Sequence, residues 1–363
     1  MAIQGPGANQ LTVRRNIGGN YRIFNISANN VTISGLTIAN GNSPSNGGGI
    51  SITGGLTIAN CAISGHTTGS SGGGIVSSGT LSIVNSTISG NSATGGFGGG
   101  IYSTGTAQIT NSTISNNSVS ELSLGIGSGG GILNGGGSLV VTNSTISGNV
   151  AQFRGGGIQS NSGTLTSRNT IIALNTAPSG PDVFGTLTSD NFNLIGNNSG
   201  VTITPAQLSD QIGTAGSPIN PLLGPLQNNG GPTLTRALLP GSPAVDKGHS
   251  SGLTTDQRGV GFPRTADYSS VTNATGGDGT DIGAVEFWTL KITSITHLSN
   301  GHAVLHGIGI PSHLHTIEGS PDLSPNSFTA IPPGVTADSN GVLQYDDAGA
   351  VGLTKRFYRL SFP

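Results

Sequence analysis

Side chains that could act as acids, bases or cationic ligands are scarce in the N-terminal part of the chain. Between residues 29 and 200 the charged residues are Glu121, Arg154, Arg168, Asp182 and Asp190. A polysaccharide lyase needs a base and a cation to hold developing charge, and an inverting glycosidase needs two separated carboxyl groups. Glu121 and Arg154 fall in the variable loops of neighbouring repeats, so they are the candidate catalytic pair. The interpretation we favour is a solvated ion pair.

A second group of charges lies towards the C-terminal side and contains the candidate metal ligands. The sequence there fits the GGxGxD calcium repeat of β-rolls, which makes Asp278 and Asp281 candidate Ca²⁺ ligands. The motif occurs once, whereas such sites are normally shared between consecutive turns. We favour a structural interpretation, in which Arg258 and Arg264 pair with Asp281 or Glu286 and lock an irregular segment. We expect no other cofactor.

The elements that would carry these side chains follow from an internal repeat. The phrase Asn-Ser-Thr-Ile-Ser-Gly-Asn recurs, with small changes, at Asn85–Asn91, Asn111–Asn117 and Asn143–Asn149, and degenerate copies flank these. Alignment on the central apolar residue gives steps of 25, 25, 26, 32, 26 and 22 residues. A period held this closely is typical of a solenoid. The longest step contains an insertion at 119–126.

Each repeat predicts three short strands joined by corners, with a second phrase, Gly-Gly-Gly-Ile, opening one strand. Apolar and polar residues alternate within the strands. Asn85, Asn111 and Asn143 suit the corners because asparagine tolerates a left-handed backbone. We therefore predict an all-β fold, a right-handed parallel β-helix with three strands per coil. Ile88 and Ile114 should stack inward, and the corner asparagines should form an amide ladder.

Small hydroxyl residues occupy the outward positions of the middle strand. Stacking of the coils would place them in two parallel rows on a flat surface: Thr37, Thr87, Ser89, Thr113, Ser115, Thr145 and Ser147. Ice-binding β-helices present similar rows, so ice binding is our third hypothesis. Threonine and serine are also ordinary residues on the solvent side of a strand.

The composition excludes several classes of protein. The chain of 363 residues contains 63 glycines without a G-X-Y period, so it is not collagen-like. A net charge of −2 and 8 % charged residues provide no basic surface for nucleic acid. A single cysteine excludes an intrachain disulfide. No apolar stretch reaches the length of a transmembrane segment.

Four later motifs connect the chain to a known group of proteins: Leu226–Thr233, Gly241–Asp246, Asp256–Gly259 and Asp281–Glu286. With the repeats, they resemble bacterial right-handed parallel β-helix proteins that have polymorphic-outer-membrane-protein-like repeats and a closing segment called choice-of-anchor Q. The motifs are specific for architecture rather than for biochemical role.

The resemblance and the change in sequence style after residue 288 predict four parts. Residues 1–28 form an N-terminal capping coil and residues 29–220 the β-helix repeats. Residues 221–288 form the Q-like closing segment, and residues 289–363 a small C-terminal β-sandwich-like domain.

The resemblance implies an exported protein, so we expect secretion or a place on the bacterial outer surface. No signal peptide opens this sequence, and we interpret its Met-Ala start as that of a trimmed chain. We predict a non-catalytic scaffold that is adhesive or binds an extracellular glycan or cell-surface polymer, as a monomer or in end-to-end assembly. The alternative is a polysaccharide lyase or glycoside hydrolase on a pectate-lyase-like β-helix.

Overall fold

A computed structural model describes residues 1–16, 18–121, 127–268, 270–288, 290–310, 314–324, 327–338 and 341–361. The chain divides into two compact units, Met1–Gly259 with Pro263–Phe287, and Val260–Phe262 with Trp288–Pro363. The division into four parts stays a prediction. The described residues contain no helix with the length and hydropathy of a membrane span.

The first unit is a parallel β-solenoid, as predicted, in which each strand pairs with its counterpart in the next coil. One wall, sheet A, consists of Ala2–Gln4, Val31–Ser34, Gly55–Ala59, Thr80–Val84, Thr106–Thr110, Ser138–Thr142 and Thr164–Arg168. A second wall, sheet B, consists of Thr12–Arg14, Thr37–Ala39, Ala62–Ser64, Thr87–Ser89, Thr113–Ser115, Thr145–Ser147, Ile171–Ala173, Leu194–Ile195 and Gln211–Ile212.

The third wall, sheet C, consists of Phe24–Ile26, Ile50–Ile52, Ile75–Ser77, Ile101–Ser103, Ile132–Asn134 and Ile158–Ser160. The long strand Val183–Ser189 pairs with both sheet C and sheet A, and Val201–Ile203 pairs with it in turn.

A fourth strand per coil was not predicted. Between sheets B and C lie the two-residue strands of sheet D: Asn42–Ser43, Thr67–Thr68, Ser92–Ala93, Ser118–Val119 and Val150–Ala151. Two residues are too few to show an alternation in sequence, so the variable loop concealed a regular strand. The insertion after Val119 lies partly outside the described residues.

The interior is a set of aligned apolar stacks, as the repeat predicted. Ile63, Ile88, Ile114, Ile146 and Ile172 are consecutive partners in sheet B, and all have zero exposure. Because parallel coils repeat at about 4.8 Å, each isoleucine contacts its equivalents above and below. The solenoid core is therefore continuous along its axis.

A ladder of asparagine side chains, the inner ladder, runs inside the solenoid at the corner between sheets B and D. The side-chain amides of Asn91, Asn117 and Asn149 each donate to the oxygen of the next side chain, at 2.9 Å, ending at Asn175. Each amide also donates to an isoleucine carbonyl of the preceding coil. The ladder ends at Asp182, which accepts from the Asn175 amide at 3.0 Å.

His66 occupies the ladder position one coil before Asn91. Its Nε2 contacts the Ile38 carbonyl at 2.9 Å, and its Nδ1 accepts from the Gly41 backbone N–H at 2.8 Å. The ladder asparagines make the same two bonds to the backbone, and their amides also donate to the next side chain. Burial lowers the pKa of His66 to about 4, because the charged ring would lose its hydration.

The ladder and the Gly-Gly-Gly-Ile phrase require one another. A Cβ on Gly100 would lie 2.6 Å from the Gly131 carbonyl and 3.1 Å from the Asn117 amide. A Cβ on Gly99 would lie 2.3 Å from the Ser118 carbonyl, and Gly98 has a φ of 67°. All three glycines are therefore needed, two for close approach and one for backbone conformation.

The chain after the solenoid returns along the outer face of sheet B. The antiparallel strands Leu223–Gln227 and Thr235–Leu238 begin this segment, and the remainder, to Phe287, is irregular. Its apolar side chains form a second core with Ile171, Ala173 and Leu194 of sheet B. We call residues 221–287 the closing segment.

The second unit contains two antiparallel sheets. One consists of Lys291–His297, Ala303–Ile308 and Val342–Asp347, and the other of Leu314–Ser320, Thr329–Thr336 and Phe357–Ser361. A 3-10 turn covers Ala348–Ala350. Leu305 and Ile317, one from each sheet, share a core. The sandwich-like arrangement was predicted.

Candidate functional site

The outward hydroxyls of sheet B do not face solvent, so the prediction of an exposed row is wrong. Thr87, Thr113, Ser115, Thr145 and Ser147 are at most 1 % exposed, and Ser89 is 9 % exposed. Thr37, beyond the closing segment, donates to the Ala8 carbonyl at 2.5 Å. The side chains do point away from the solenoid core, but the closing segment covers them.

Gln257 provides the centre of this cover. Its Oε1 accepts from the Thr113 hydroxyl at 2.6 Å, and its Nε2 donates to the Thr87 hydroxyl at 2.9 Å and the Thr233 hydroxyl at 3.0 Å. Gln257 has zero exposure. The hydroxyl rows therefore act as a hydrogen-bonding surface for the protein's own chain, which removes the basis for ice binding through them.

The corner asparagines have the predicted backbone but only part of the predicted ladder. Asn85, Asn111 and Asn143 have φ values of 49°, 53° and 49°. The Asn111 amide donates to Asn85 Oδ1 at 2.8 Å, and the Asn169 amide to Asn143 Oδ1 at 2.6 Å. The Asn143 amide instead donates to the Ser250 carbonyl at 3.0 Å. The ladder consists of pairs because these corners also hold the closing segment.

The buried ion pairs of the closing segment match the structural interpretation in part. Arg264 has zero exposure, and its Nε lies 3.5 Å from Glu286 Oε1. Arg258 was expected to pair with Asp281 or Glu286, but its Nε donates to Asp256 Oδ2 at 3.0 Å. It reaches only the backbone carbonyl of Glu286, at 2.9 Å. Asp256 is the partner of Arg258 because it lies two residues away on the same turn.

Burial controls the protonation of the acids in this group. Desolvation raises the pKa of Asp281 to about 7, and the Asp246 charge adds to that rise. Desolvation and the charge of Asp281 also raise the pKa of Glu286 well above its ordinary value. Nearby Arg264 opposes both shifts without cancelling them. These acids therefore hold protons at a pH where an exposed carboxyl would be ionised.

The two candidate calcium ligands accept hydrogen bonds from backbone. Asp278 Oδ2 accepts from the Ser250 N–H at 3.0 Å, and Asp281 Oδ1 accepts from the Asp246 N–H at 2.7 Å. In the part of the chain that the structure describes, no cluster of three or more His, Cys, Asp or Glu side chains is arranged to hold a metal ion. Calcium binding stays a prediction.

The candidate catalytic pair lies in loops of neighbouring coils. The backbone N–H of Glu121 donates to the Gln152 side chain at 2.8 Å. The Arg154 guanidinium lies over the Phe153 ring at 4.4 Å and over the Phe184 ring at 4.7 Å. The ion pairs among the described residues do not join Glu121 to Arg154. Lyase or glycosidase activity stays a prediction.

An open groove of about 400 Å³ lies on the outer face of sheet C, where the closing segment does not reach. Half-buried Tyr102 and Val76 lie on its floor beside Ser51, and Arg22 and Asn46 line its edge. Arg22 Nη2 donates to the Ser45 hydroxyl at 2.6 Å. An aromatic face among hydroxyl, amide and guanidinium donors can take up a ligand with both apolar and hydroxyl surfaces.

Sequence reasoning missed this groove, although a signal was present. The residue after each Gly-Gly-Gly-Ile phrase points outward from sheet C, and it varies whereas the isoleucine before it does not. It is Ser51, Val76, Tyr102, Leu133 and Gln159 in successive coils. Position-specific variation in an otherwise constant repeat indicates a surface whose side chains are selected individually.

Comparison with known proteins assigns no family to this architecture. No protein-family model matches the chain, and a search of curated proteins found no significant match.

Proposed function

We propose that the protein is an exported bacterial β-solenoid that binds glycan without catalysis, as an adhesive or matrix component. The groove on sheet C carries the proposal. Tyr102 offers a ring against which the apolar face of a sugar can stack, and Ser51 and Asn46 offer hydrogen bonds to sugar hydroxyls. The groove is open, as binding within a long polymer requires.

Two further observations favour a role at the cell exterior. The repeats and the closing segment resemble polymorphic-outer-membrane-protein-like and choice-of-anchor Q sequences, and such proteins are mostly exported or surface-located. The coils also carry few charges, so their outer faces offer hydroxyl, amide and aromatic groups rather than a charged surface. The partner would be an extracellular glycan or cell-surface polymer, with the protein as a monomer or in end-to-end assembly.

The test is calorimetric titration with a panel of soluble polysaccharides, comparing wild type with Tyr102→Ala. We expect the variant to weaken binding about five- to thirtyfold, since loss of a stacking ring costs on the order of 1–2 kcal/mol. Tyr102→Phe keeps the ring and should retain affinity. Thr110→Val, on the exposed face of sheet A, is the control. Equal affinity of wild type and Tyr102→Ala would refute binding at this groove.

A further inference from the structure

The outward row of sheet C continues beyond the groove towards the C-terminal coils. By strand register Tyr102 is followed by Leu133, Gln159 and Phe184, one per coil. Three steps at about 4.8 Å place Phe184 roughly 14 Å from Tyr102 along the solenoid axis. Leu133, between them, is only 1 % exposed, so the Tyr102 groove and the Phe184 end of the row are separate surfaces.

Arg154 lies at the far end of the row and has no acidic partner among the described residues. Its guanidinium lies between the rings of Phe153 and Phe184, at 4.4 and 4.7 Å from their centroids. None of the ion pairs among the described residues includes Arg154. Two aromatic faces fix the plane of the guanidinium and leave its N–H edge for a planar anion.

The other arginine of the coils provides a contrast. Arg168 also lies near a ring, 5.7 Å from the Phe192 centroid, but its Nη1 lies 3.4 Å from Asp190. Both arginines are partly exposed and both touch an aromatic ring. Within the part of the chain that the structure describes, an ion pair balances the charge of Arg168 but not that of Arg154.

Gln159 supplies a second, independent observation. It lies on the outward side of its strand, next to Phe184 in the register, and is only 6 % exposed. Its amide nitrogen donates to Asn161, whereas its Oε1 has no hydrogen-bond partner among the described residues. A buried acceptor left unsatisfied is costly, and rotation of the Gln159 side chain towards a ligand hydroxyl would satisfy it.

We propose that Phe153, Arg154, Gln159 and Phe184 form a second subsite, which binds the carboxylate and a hydroxyl of a uronic acid unit in an acidic polysaccharide. The inference deepens the proposed function and rests on it. Arg154 would pair with the carboxylate, Gln159 Oε1 would accept from a hydroxyl, and Phe153 and Phe184 would shield the ion pair from water. Arg22, at the other end of the face, adds positive charge of the same sense.

The test compares polygalacturonate with its fully methyl-esterified form, which removes the charge and keeps the sugar backbone. We expect wild type to bind the acid at least tenfold more tightly at low ionic strength, with the difference shrinking in salt. Arg154→Gln should abolish the difference, chiefly by weakening binding of the acid. Arg168→Gln, which changes net charge equally, should keep the difference.

Three controls separate the possible failures. Circular dichroism and the melting temperature of Arg154→Gln should match wild type, and Arg154→Lys should retain part of the preference. Glu121→Gln should keep or increase it. Equal binding of acid and ester by wild type, or an undiminished preference in Arg154→Gln, would overturn the subsite and leave the Tyr102 groove standing. Absence of binding to every polymer would instead refute the proposed function.

Discussion

Sheets B and C have the same strand length and the same coil-to-coil pairing. The outer face of sheet B is nevertheless buried, whereas the outer face of sheet C contains an open groove. On sheet B the outward residues are nearly constant hydroxyls such as Thr113 and Thr145, and the closing segment buries them. On sheet C the outward residues vary from coil to coil, and Tyr102 and Val76 line an open groove. In this solenoid the constant face serves internal docking, whereas the variable face is open at Ser51, Val76 and Tyr102 and buried at Leu133 and Gln159.

The largest expected loss of stability comes from destabilising the closing segment, which covers sheet B. Arg264→Gln would leave the carbonyls of Asp281 and Gly283 and the Asn143 side chain without their buried donor, and at about 1–3 kcal/mol for each unsatisfied group we expect a loss of about 3–5 kcal/mol. We expect chemical denaturation to show this loss and limited proteolysis to cleave the closing segment first. Arg168→Gln removes a partly exposed pair and should cost less than about 1 kcal/mol. Equal stability of the two variants would show that the buried pair does not hold the cover.

The stability of the solenoid interior beneath both faces can be tested by replacing His66. Its folded pKa of about 4 lies below the unfolded value of 6.5, so the unfolded chain binds more protons between these values. Stability contributed by neutral His66 is present above about pH 6.5 and falls as the pH drops towards 4. His66→Asn should remove about 2 kcal/mol of the loss between pH 7.5 and pH 5, measured by urea denaturation.

Asp182 and Asp281 act in the opposite sense, because burial raises their pKa values to about 6 and about 7. Their contribution is present at low pH and is lost as the pH rises through these values. The comparison of His66→Asn with wild type cancels this background. An unchanged pH profile in the variant would mean that the ring is not neutral in the folded protein.

A smaller effect should follow from Thr113→Val. The substitution keeps the shape and leaves Gln257 Oε1 without its donor, a loss of about 1–3 kcal/mol in a buried site. Thr110→Val on sheet A is the matched control, since that side chain is half-exposed, and it should change the free energy of unfolding by less than about 0.5 kcal/mol. Similar values for both variants would show that the sheet B hydroxyls are not specific docking groups.

The smallest effect on stability should be that of Tyr102→Ala. Its ring is half-buried on an open face, so we expect a loss below about 1 kcal/mol in thermal denaturation, with the effect confined to glycan binding. A large loss of stability would place Tyr102 with the structural residues of sheet B and remove the contrast between the faces.

Local pattern was sufficient for the solenoid and its corners. Ile88 and Ile114 stack with zero exposure, and Asn85 has the expected left-handed backbone, because both properties follow from alternation and from the conformational range of asparagine. The inner ladder was readable in principle, since an asparagine ends each clear copy of the repeat. Its substitution by His66 was not, because the equivalence of the two side chains depends on hydrogen-bond geometry.

By itself the sequence determined a stacked all-β fold, because each coil repeats the same local instructions within about 25 residues. Only the tertiary structure decided which face stays open. Gln257 accepts a hydrogen bond from Thr113, which is 144 residues away in the chain, and Arg258 pairs with Asp256 rather than with Glu286. Such choices depend on how an irregular segment returns over the solenoid, and no periodicity encodes that path.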